Sequence, residues 1–231
     1  MHQKYGNGYI LRCGSENLLI NYTYMMNQKI IIVNYGMSNL NSVKRKISLL
    51  GENVCISVDP DEIAQADKLI LPGVGHFKKA VHNLKQLGIW NALNEAVMIR
   101  QIPILGICLG MQLMAKHSEE GNADGLGWFD AEVVKFHIQD FLTYKIPHTG
   151  WNQIIKTKKS ILMQDIVDLS EFYFVHSYHF ICKNAVDILN ETEYEYKFTS
   201  AVETGNIYGV QYHPEKSHDI GEQLLKNFIN I

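Results

Sequence analysis

The stretch Pro103-Ile104-Leu105-Gly106-Ile107-Cys108-Leu109-Gly110 decides the fold. Its first half is a continuous apolar run, typical of a parallel strand that is buried on both faces. A helical pattern over residues 109–117 follows directly, so the segment predicts a strand that turns sharply into a helix. Cys108 occupies that turn between two glycines, which is the G-x-nucleophile-x-G elbow that presents a nucleophile at the end of a strand. The helix N-terminus below it favours the thiolate, and the amide of Leu109 would face a developing oxyanion.

Strand and helix patterns alternate on the N-terminal side of this elbow. The pattern predicts strands at 30–33, 54–58 and 68–71, and helices near 40–50, 77–87 and 89–100. Beyond Trp128, β-rich segments dominate at 131–136, 151–155, 171–181 and 207–211, before a last helix at 221–231. This order predicts an α/β fold: an open, mainly parallel, flavodoxin-like sheet with flanking helices and an added antiparallel or mixed β part. We expect one domain over residues 26–231 and a disordered N-terminal extension over residues 1–25.

Composition narrows the functional classes. The 231 residues are 46% hydrophobic and 19% charged, with a formal net charge of −3, so there is no basic field for general nucleic-acid binding. No apolar run approaches the roughly 20 residues that span a bilayer. The four cysteines are scattered without a CxxC pair, which argues against a zinc site and favours free thiols in a cytoplasmic protein: Cys13, Cys55, Cys108 and Cys182. We expect neither a metal nor a cofactor.

A base for Cys108 is found in Tyr212-His213-Pro214-Glu215. His213 closes a predicted strand, and Glu215 is placed to orient the imidazole so that its other nitrogen takes the thiol proton. The glycine-rich turn 72–75 ends another strand and can present an N–H to an anion. Each feature also has an ordinary interpretation, as a buried structural cysteine, a strand-end histidine or a βα turn. Together they indicate a Cys–His–Glu triad.

The two triad motifs resemble those of class I (triad) glutamine amidotransferases. The segments 72–77, 147–152 and 173–178 narrow the resemblance to the HisH family, the glutaminase subunits of imidazole glycerol phosphate synthase. The resemblance implies that Cys108 forms a glutamyl thioester with glutamine, that His213 moves the proton and that Glu215 holds His213. It also implies oxyanion donors at Val74 and Leu109, and glutamine-binding positions at Gly75, Gln112, Glu120, Ser177 and Tyr178.

A partner subunit is also implied by the resemblance. Five positions match those that face a HisF-type (β/α)8 synthase subunit, into which ammonia passes without meeting bulk water: Asn39, Trp151, Asn152, Tyr173 and Lys216. From the residues alone, the two aromatic side chains would usually belong to a core, and the lysine would be a solvated surface charge. An exposed aromatic cluster would instead indicate an interface.

Alternatives remain at this point. Asn34, Ser38 and Thr149 depart from the usual Asp, Gly and Met of the family pattern, and they lie near the expected partner face. A paralogue that supplies ammonia for amidino-sugar synthesis, in surface polysaccharides, is therefore an alternative to histidine biosynthesis. A stand-alone cysteine hydrolase and a catalytically silent binding module are the other two.

Overall fold

The computed structural model describes residues 28–37 and 39–231. The prediction for residues 1–25 lies outside these residues, as does Ser38. The described strands are β1 Ile30–Val33, β2 Val54–Ser57, β3 Lys68–Gly73, β4 Ile104–Cys108, β5 His117–Ser118, β6 Ala123–Asp124, β7 Ala131–Lys135, β8 His148–Gln153, β9 Ile155–Lys156, β10 Glu171–His176, β11 Tyr178–Cys182, β12 Ile188–Tyr194, β13 Tyr196–Thr204 and β14 Ile207–Val210. The α-helices are α1 Leu40–Leu49, α2 Pro60–Ala64, α3 Phe77–Gln86, α4 Ile89–Asn94, α5 Leu109–Gln112 and α6 His218–Ile229, and a π-helical turn, Glu95–Ile99, continues α4.

One large mixed sheet forms the frame. Its order is β2-β1-β3-β4-β14-β13-β11-β7-β5-β6, with β12 and β9 attached through β13. The first five strands are parallel, whereas β13, β11 and β7 continue the sheet in antiparallel pairs. A separate antiparallel ribbon is formed by β8 and β10. The predicted α/β class and the antiparallel extension are therefore confirmed.

The parallel strands are buried on both faces. In β1, Ile31 and Val33 pack in one apolar cluster, while Ile30 and Ile32 pack in the other. Helices α3 and α4 cover the first face, and α1 and α6 cover the second. Two-sided burial explains the unbroken apolar runs in the sequence, because alternate side chains enter opposite cores. Among the described residues, no helix is long and apolar enough to cross a membrane.

The helix predicted over residues 109–117 is wrong in its extent. The α-helix ends at Gln112, and residues 117–118 form β5. The carbonyls of the residues after Gln112 are taken by a distant segment: Leu126 N–H bonds to that of Leu113 at 2.7 Å, and Phe129 N–H to that of Met114 at 3.1 Å. These long-range bonds replace the i→i−4 ladder that would have continued the helix.

The β-rich half also differs in detail from the prediction. The segment predicted at 171–181 is two strands, because the chain leaves the β8–β10 ribbon at Ser177 and enters the main sheet as β11. The segment predicted at 151–155 is likewise divided between β8 and β9. The hairpin β12–β13 was not predicted, since its buried face carries polar side chains that hydrogen-bond to each other, including Thr192 to Ser200 at 2.8 Å.

Candidate active site

Three segments meet where neighbouring parallel strands end. Strands β3, β4 and β14 are adjacent, and their register places Gly73 beside Cys108. His213 follows β14 by three residues. The glycine turn, the cysteine elbow and the histidine segment therefore converge at the carboxyl edge of the sheet, where open α/β sheets bind their ligands.

The backbone of the elbow is strained at Cys108. This residue has φ 55° and ψ −111°, a conformation that costs a non-glycine residue about 1–3 kcal/mol. The flanking glycines allow it, because a Cβ on Gly110 would lie 1.6 Å from the carbonyl oxygen of Leu71, and one on Gly106 would lie 2.6 Å from Met114. Strain at a single residue in a close-packed turn is typical of a functional position.

His213 and Glu215 form a buried pair. His213 Nδ1 lies 2.8 Å from Glu215 Oε1, and both side chains are almost fully buried. Burial alone would lower the pKa of His213, but the charges of Cys108 and Glu215, with their hydrogen bonds, raise it to about 10. Apart from Cys108, His213 Nε2 has no hydrogen-bond partner among the described residues, so this nitrogen is left for the thiol. Catalytic hydrogen bonds are often long before substrate binds.

The backbone of His213 is held by the β10 strand. His213 N–H donates to the carbonyl of Tyr173 at 2.8 Å, and Tyr173 N–H donates to Ser217 Oγ at 3.0 Å. The hydroxyl of Ser217 then donates to the carbonyl of His213 at 2.7 Å. This closed ring of bonds fixes the position of the imidazole relative to β10.

A cavity of about 280 Å³ opens beside Cys108. Its lining includes all five positions that the resemblance assigns to glutamine binding: Gly75, Gln112, Glu120, Ser177 and Tyr178. One oxygen of the Glu120 carboxylate accepts the amide of Phe77 at 2.7 Å, which holds this acid at the rim of the cavity. The cavity thus offers a carboxylate, an amide, a hydroxyl and a phenol around the predicted nucleophile.

The two predicted oxyanion donors are in different situations. Leu109 begins α5, so its N–H belongs to the first turn of a helix and lacks an acceptor within the helix. The N–H of Val74 is instead bonded to the carbonyl of Met37 at 2.6 Å. In this conformation Val74 does not offer its N–H to a ligand beside Cys108.

Four of the five residues predicted to face a partner lie beside the site, whereas the side chain of the fifth, Asn152, lies on the other face of β8 and bonds to His148 and the Glu193 carbonyl. Trp151 is 44% exposed, stacks on His218 with ring centres 5.0 Å apart, and lies edge-on to Tyr173. Lys216 places its ammonium 5.5 Å from the centre of the Tyr173 ring. Asn39 and Lys216 also line a small gap next to His213 and Glu215. The tryptophan is therefore at the surface rather than in a core, and the lysine is more than an isolated surface charge.

Gln211 and the hydrogen-bonded pair His148–His176 were not predicted from the sequence. Gln211 is fully buried, and its Nε2 lies 3.6 Å from Cys108 Sγ. The spacing of His176 and His179 is that of a weak metal pair, but His176 Nε2 contacts His148 at 3.1 Å instead. The described residues contain no group of three or more His, Cys, Asp or Glu side chains that could hold a metal. A polar residue inside an apolar strand, Gln211 in Gly-Val-Gln-Tyr, was the available signal.

Comparisons with known proteins agree with this geometry. The family model "Glutamine amidotransferase class-I" matches residues 31–231. "Imidazole glycerol phosphate synthase subunit HisH 2" of Methanococcus maripaludis is 50% identical over 200 residues, which are 87% of this chain and 98% of that protein. The protein of the same name from Pseudomonas aeruginosa is 43% identical over 202 residues, 87% of this chain and 99% of its own.

Solved structures agree in fold. A chain from Thermoplasma acidophilum, described as a GMP synthase subunit, superposes with a TM-score of 0.67 at 21% identity, over 88% of this chain and 92% of that one. A second structure, described as a glutamine amidotransferase, has a TM-score of 0.68 at 16% identity, over 87% and 97% of the two chains. The chain belongs to the class I glutamine amidotransferases and, within them, to the HisH family.

Proposed function

We propose that this chain hydrolyses glutamine to glutamate and ammonia through Cys108. The Cys108 thiolate attacks the side-chain amide carbon, His213 protonates the leaving nitrogen, and ammonia departs as the C–N bond breaks. Water, deprotonated by His213, then cleaves the glutamyl thioester and returns the thiol. Glu215 keeps the imidazole oriented and stabilises its charged form. The observation that carries this proposal is the convergence of the elbow cysteine, the buried His213–Glu215 pair and one polar cavity.

The chain offers its own control for the nucleophile. Cys108→Ser should abolish glutamate release, while Cys55→Ser and Cys182→Ser should leave it within about two-fold, because those thiols lie outside the cavity. Thermal unfolding should be similar for all three variants, so that loss of activity is not loss of fold. Wild-type activity in Cys108→Ser would refute the proposal, whereas an absence of glutamate release by the wild-type protein, alone and with its partner, would favour a silent binding module.

We propose that the ammonia passes to a HisF-type (β/α)8 subunit in the cytoplasm. That subunit uses it to make imidazole glycerol phosphate and AICAR. Support comes from the names of the relatives, which are subunits of imidazole glycerol phosphate synthase, and from the exposed Trp151 with Tyr173 and Lys216 beside the triad. Ammonia needs a closed path because, in water near neutral pH, it is protonated and ceases to be a nucleophile.

Reconstitution tests the partner. The chain is purified with a HisF-type barrel, and product formation from the barrel's nucleotide substrate is measured with glutamine or with ammonium salt. Cys108→Ala in the complex should lose the glutamine-dependent rate and keep the ammonium-dependent rate. Binding only to a barrel of the amidino-sugar type would move the assignment to that pathway. Glutamine or γ-glutamyl hydrolysis by a monomer, unaffected by either barrel, would indicate a stand-alone hydrolase.

A further inference from the structure

A chain of buried and partly buried hydrogen bonds connects the β8–β10 ribbon to the nucleophile. At its centre is the backbone carbonyl of Tyr178, which accepts from His176 Nδ1 at 2.8 Å and from Gln112 Nε2 at 2.9 Å. A carbonyl oxygen can only accept hydrogen bonds. This one atom therefore determines that Nδ1 of His176 carries the proton. It also determines that the Gln112 amide turns its nitrogen, and not its oxygen, toward this carbonyl.

The inner arm runs from that carbonyl to the sulfur. The second N–H of Gln112 Nε2 donates to Gln211 Oε1 at 3.0 Å. Because its oxygen is used as the acceptor, Gln211 turns its Nε2 toward Cys108 Sγ, 3.6 Å away. An N–H donor at the sulfur stabilises the thiolate relative to the thiol. Gln211 is fully buried, so water does not compete for this contact.

The outer arm runs from the same carbonyl along the inner face of the ribbon to Asn152. With its proton on Nδ1, His176 accepts at Nε2 from His148 Nδ1, 3.1 Å away. His148 Nε2 then accepts from the Asn152 amide at 3.3 Å, and this amide also donates to the carbonyl of Glu193 at 2.9 Å. Burial lowers the pKa of His148 to about 4 and that of His176 well below its ordinary value, so each is neutral at pH 7, with one donor and one acceptor.

We propose that these bonds form a relay through which a partner docked on the exposed Trp151, the neighbour of Asn152 in β8, acts on Cys108. The relay consists of Asn152, His148, His176, the Tyr178 carbonyl, Gln112 and Gln211. Gln211 is a catalytic residue because it contacts the reacting sulfur, whereas His148 and His176 are positioning residues. The proposal rests on the function given above. A partner that shifts β8 at Trp151 moves the Asn152 amide away from His148, and His176 and the Tyr178 carbonyl then readjust at the wall of the glutamine cavity.

The inner arm is tested on the full chain alone with iodoacetamide, following the Cys108 peptide by mass spectrometry. Gln211→Met keeps the volume and removes the donor. At pH 7 the alkylation rate of Cys108 should fall about ten-fold, while that of the exposed Cys55 in the same protein should stay within about two-fold. An unchanged rate at Cys108, or equal falls at Cys108 and Cys55, would overturn the role of Gln211.

The outer arm has a matched control in His179. This histidine is as buried as His148 and contacts the same Phe136 ring, but it bonds to Tyr196 and not to the relay. His148→Phe keeps the stacking on Tyr194. In the complex with the barrel, His148→Phe should reduce partner stimulation of glutamine hydrolysis about ten-fold, and His179→Phe should leave it within two-fold. Equal effects of the two substitutions would indicate core packing and overturn the relay.

A double-mutant cycle tests whether Asn152 and His148 act in one line. Asn152 lies near the ribbon surface, so partner stimulation can be measured in Asn152→Ala even if His148→Phe does not fold. Because both changes interrupt the same relay, partner stimulation in the double variant should equal that of whichever single variant is stimulated less. Fully additive losses would contradict the proposal. Failure of the proposed function can be told apart from failure of the relay, because it would appear as glutamine hydrolysis that survives Cys108→Ala. The alkylation assay is independent of that function, since it uses neither glutamine nor a partner.

Discussion

The bond from Val74 N–H to the carbonyl of Met37 predicts that the isolated chain hydrolyses glutamine several-fold more slowly than its complex with a partner. One oxyanion donor is worth about 10²–10³ in kcat, and this one is occupied. A hydrogen bond of this kind contributes about 0.5–1.5 kcal/mol net, so at 1 kcal/mol the closed conformation is favoured by about five to one. Binding of a partner needs to supply only this small difference to release the amide.

Val74→Pro tests this reasoning because proline has no N–H to donate. The side chain of Val74 is 42% exposed, so the change removes little packing. We expect kcat of the partner complex to fall about 10²–10³-fold, and the free energy of unfolding to fall by about 1 kcal/mol. Val74→Ala is the control, since it keeps the amide and should retain stimulation within about two-fold.

The assay is steady-state glutamate release, with and without the barrel and its nucleotide substrate. KM for glutamine should change little in Val74→Pro, because the lost interaction forms only with the tetrahedral intermediate. If Val74→Pro were stimulated by the partner as strongly as wild type, then Val74 would not be an oxyanion donor and its bond to Met37 would have no bearing on activity.

Three further outcomes are expected from the same geometry. Glu215→Gln removes a charge-assisted bond of about 1.5–3 kcal/mol and should lower kcat about 10–150-fold with little change in KM, and an unchanged kcat would exclude an orienting role. Gly110→Ala places a methyl group 1.6 Å from a carbonyl oxygen of β3 and should lower the free energy of unfolding by at least about 1–3 kcal/mol in urea titrations, and an unchanged free energy of unfolding would contradict this close packing. Burial lowers the pKa of His179 to about 4, so the unfolded state protonates first and stability is lost as pH falls from about 6.5 toward 4. Between pH 7.5 and 5 that loss should be about 2 kcal/mol smaller in His179→Phe than in wild type, and equal losses would refute the shift.

Local patterns were sufficient for the parts of the fold that carry the triad. The apolar run before Cys108, and the glycines on both sides of it, predicted the strand and its sharp turn, because these requirements lie within one short segment. The pairing of His213 with Glu215 could also be predicted, since a spacing of two residues places them within one turn. Val74, predicted as an oxyanion donor, lies directly after β3, and the bond of its N–H to Met37 could not be predicted because it depends on a second loop.

What could not be predicted depends on contacts between distant segments. The helix after Cys108 stops at Gln112 because carbonyls beyond it bond to residues 126–129, which local propensity does not contain. Gly125 allows that approach, since a Cβ there would lie 2.3 Å from the carbonyl oxygen of Ala115. The donor role of Gln211 follows only from its neighbour Gln112, and that pair is 99 residues apart in the chain.

The most direct test of the central claim is covalent labelling of the nucleophile by a glutamine analogue. The analogue carries an electrophilic chloroketone in place of the side-chain amide, and the labelled protein is mapped by peptide mass spectrometry. We predict one adduct per chain, on Cys108, with loss of glutaminase activity in proportion to labelling and protection by glutamine. Labelling of Cys55 or Cys182 with Cys108 untouched, or full activity after Cys108 is labelled, would contradict it.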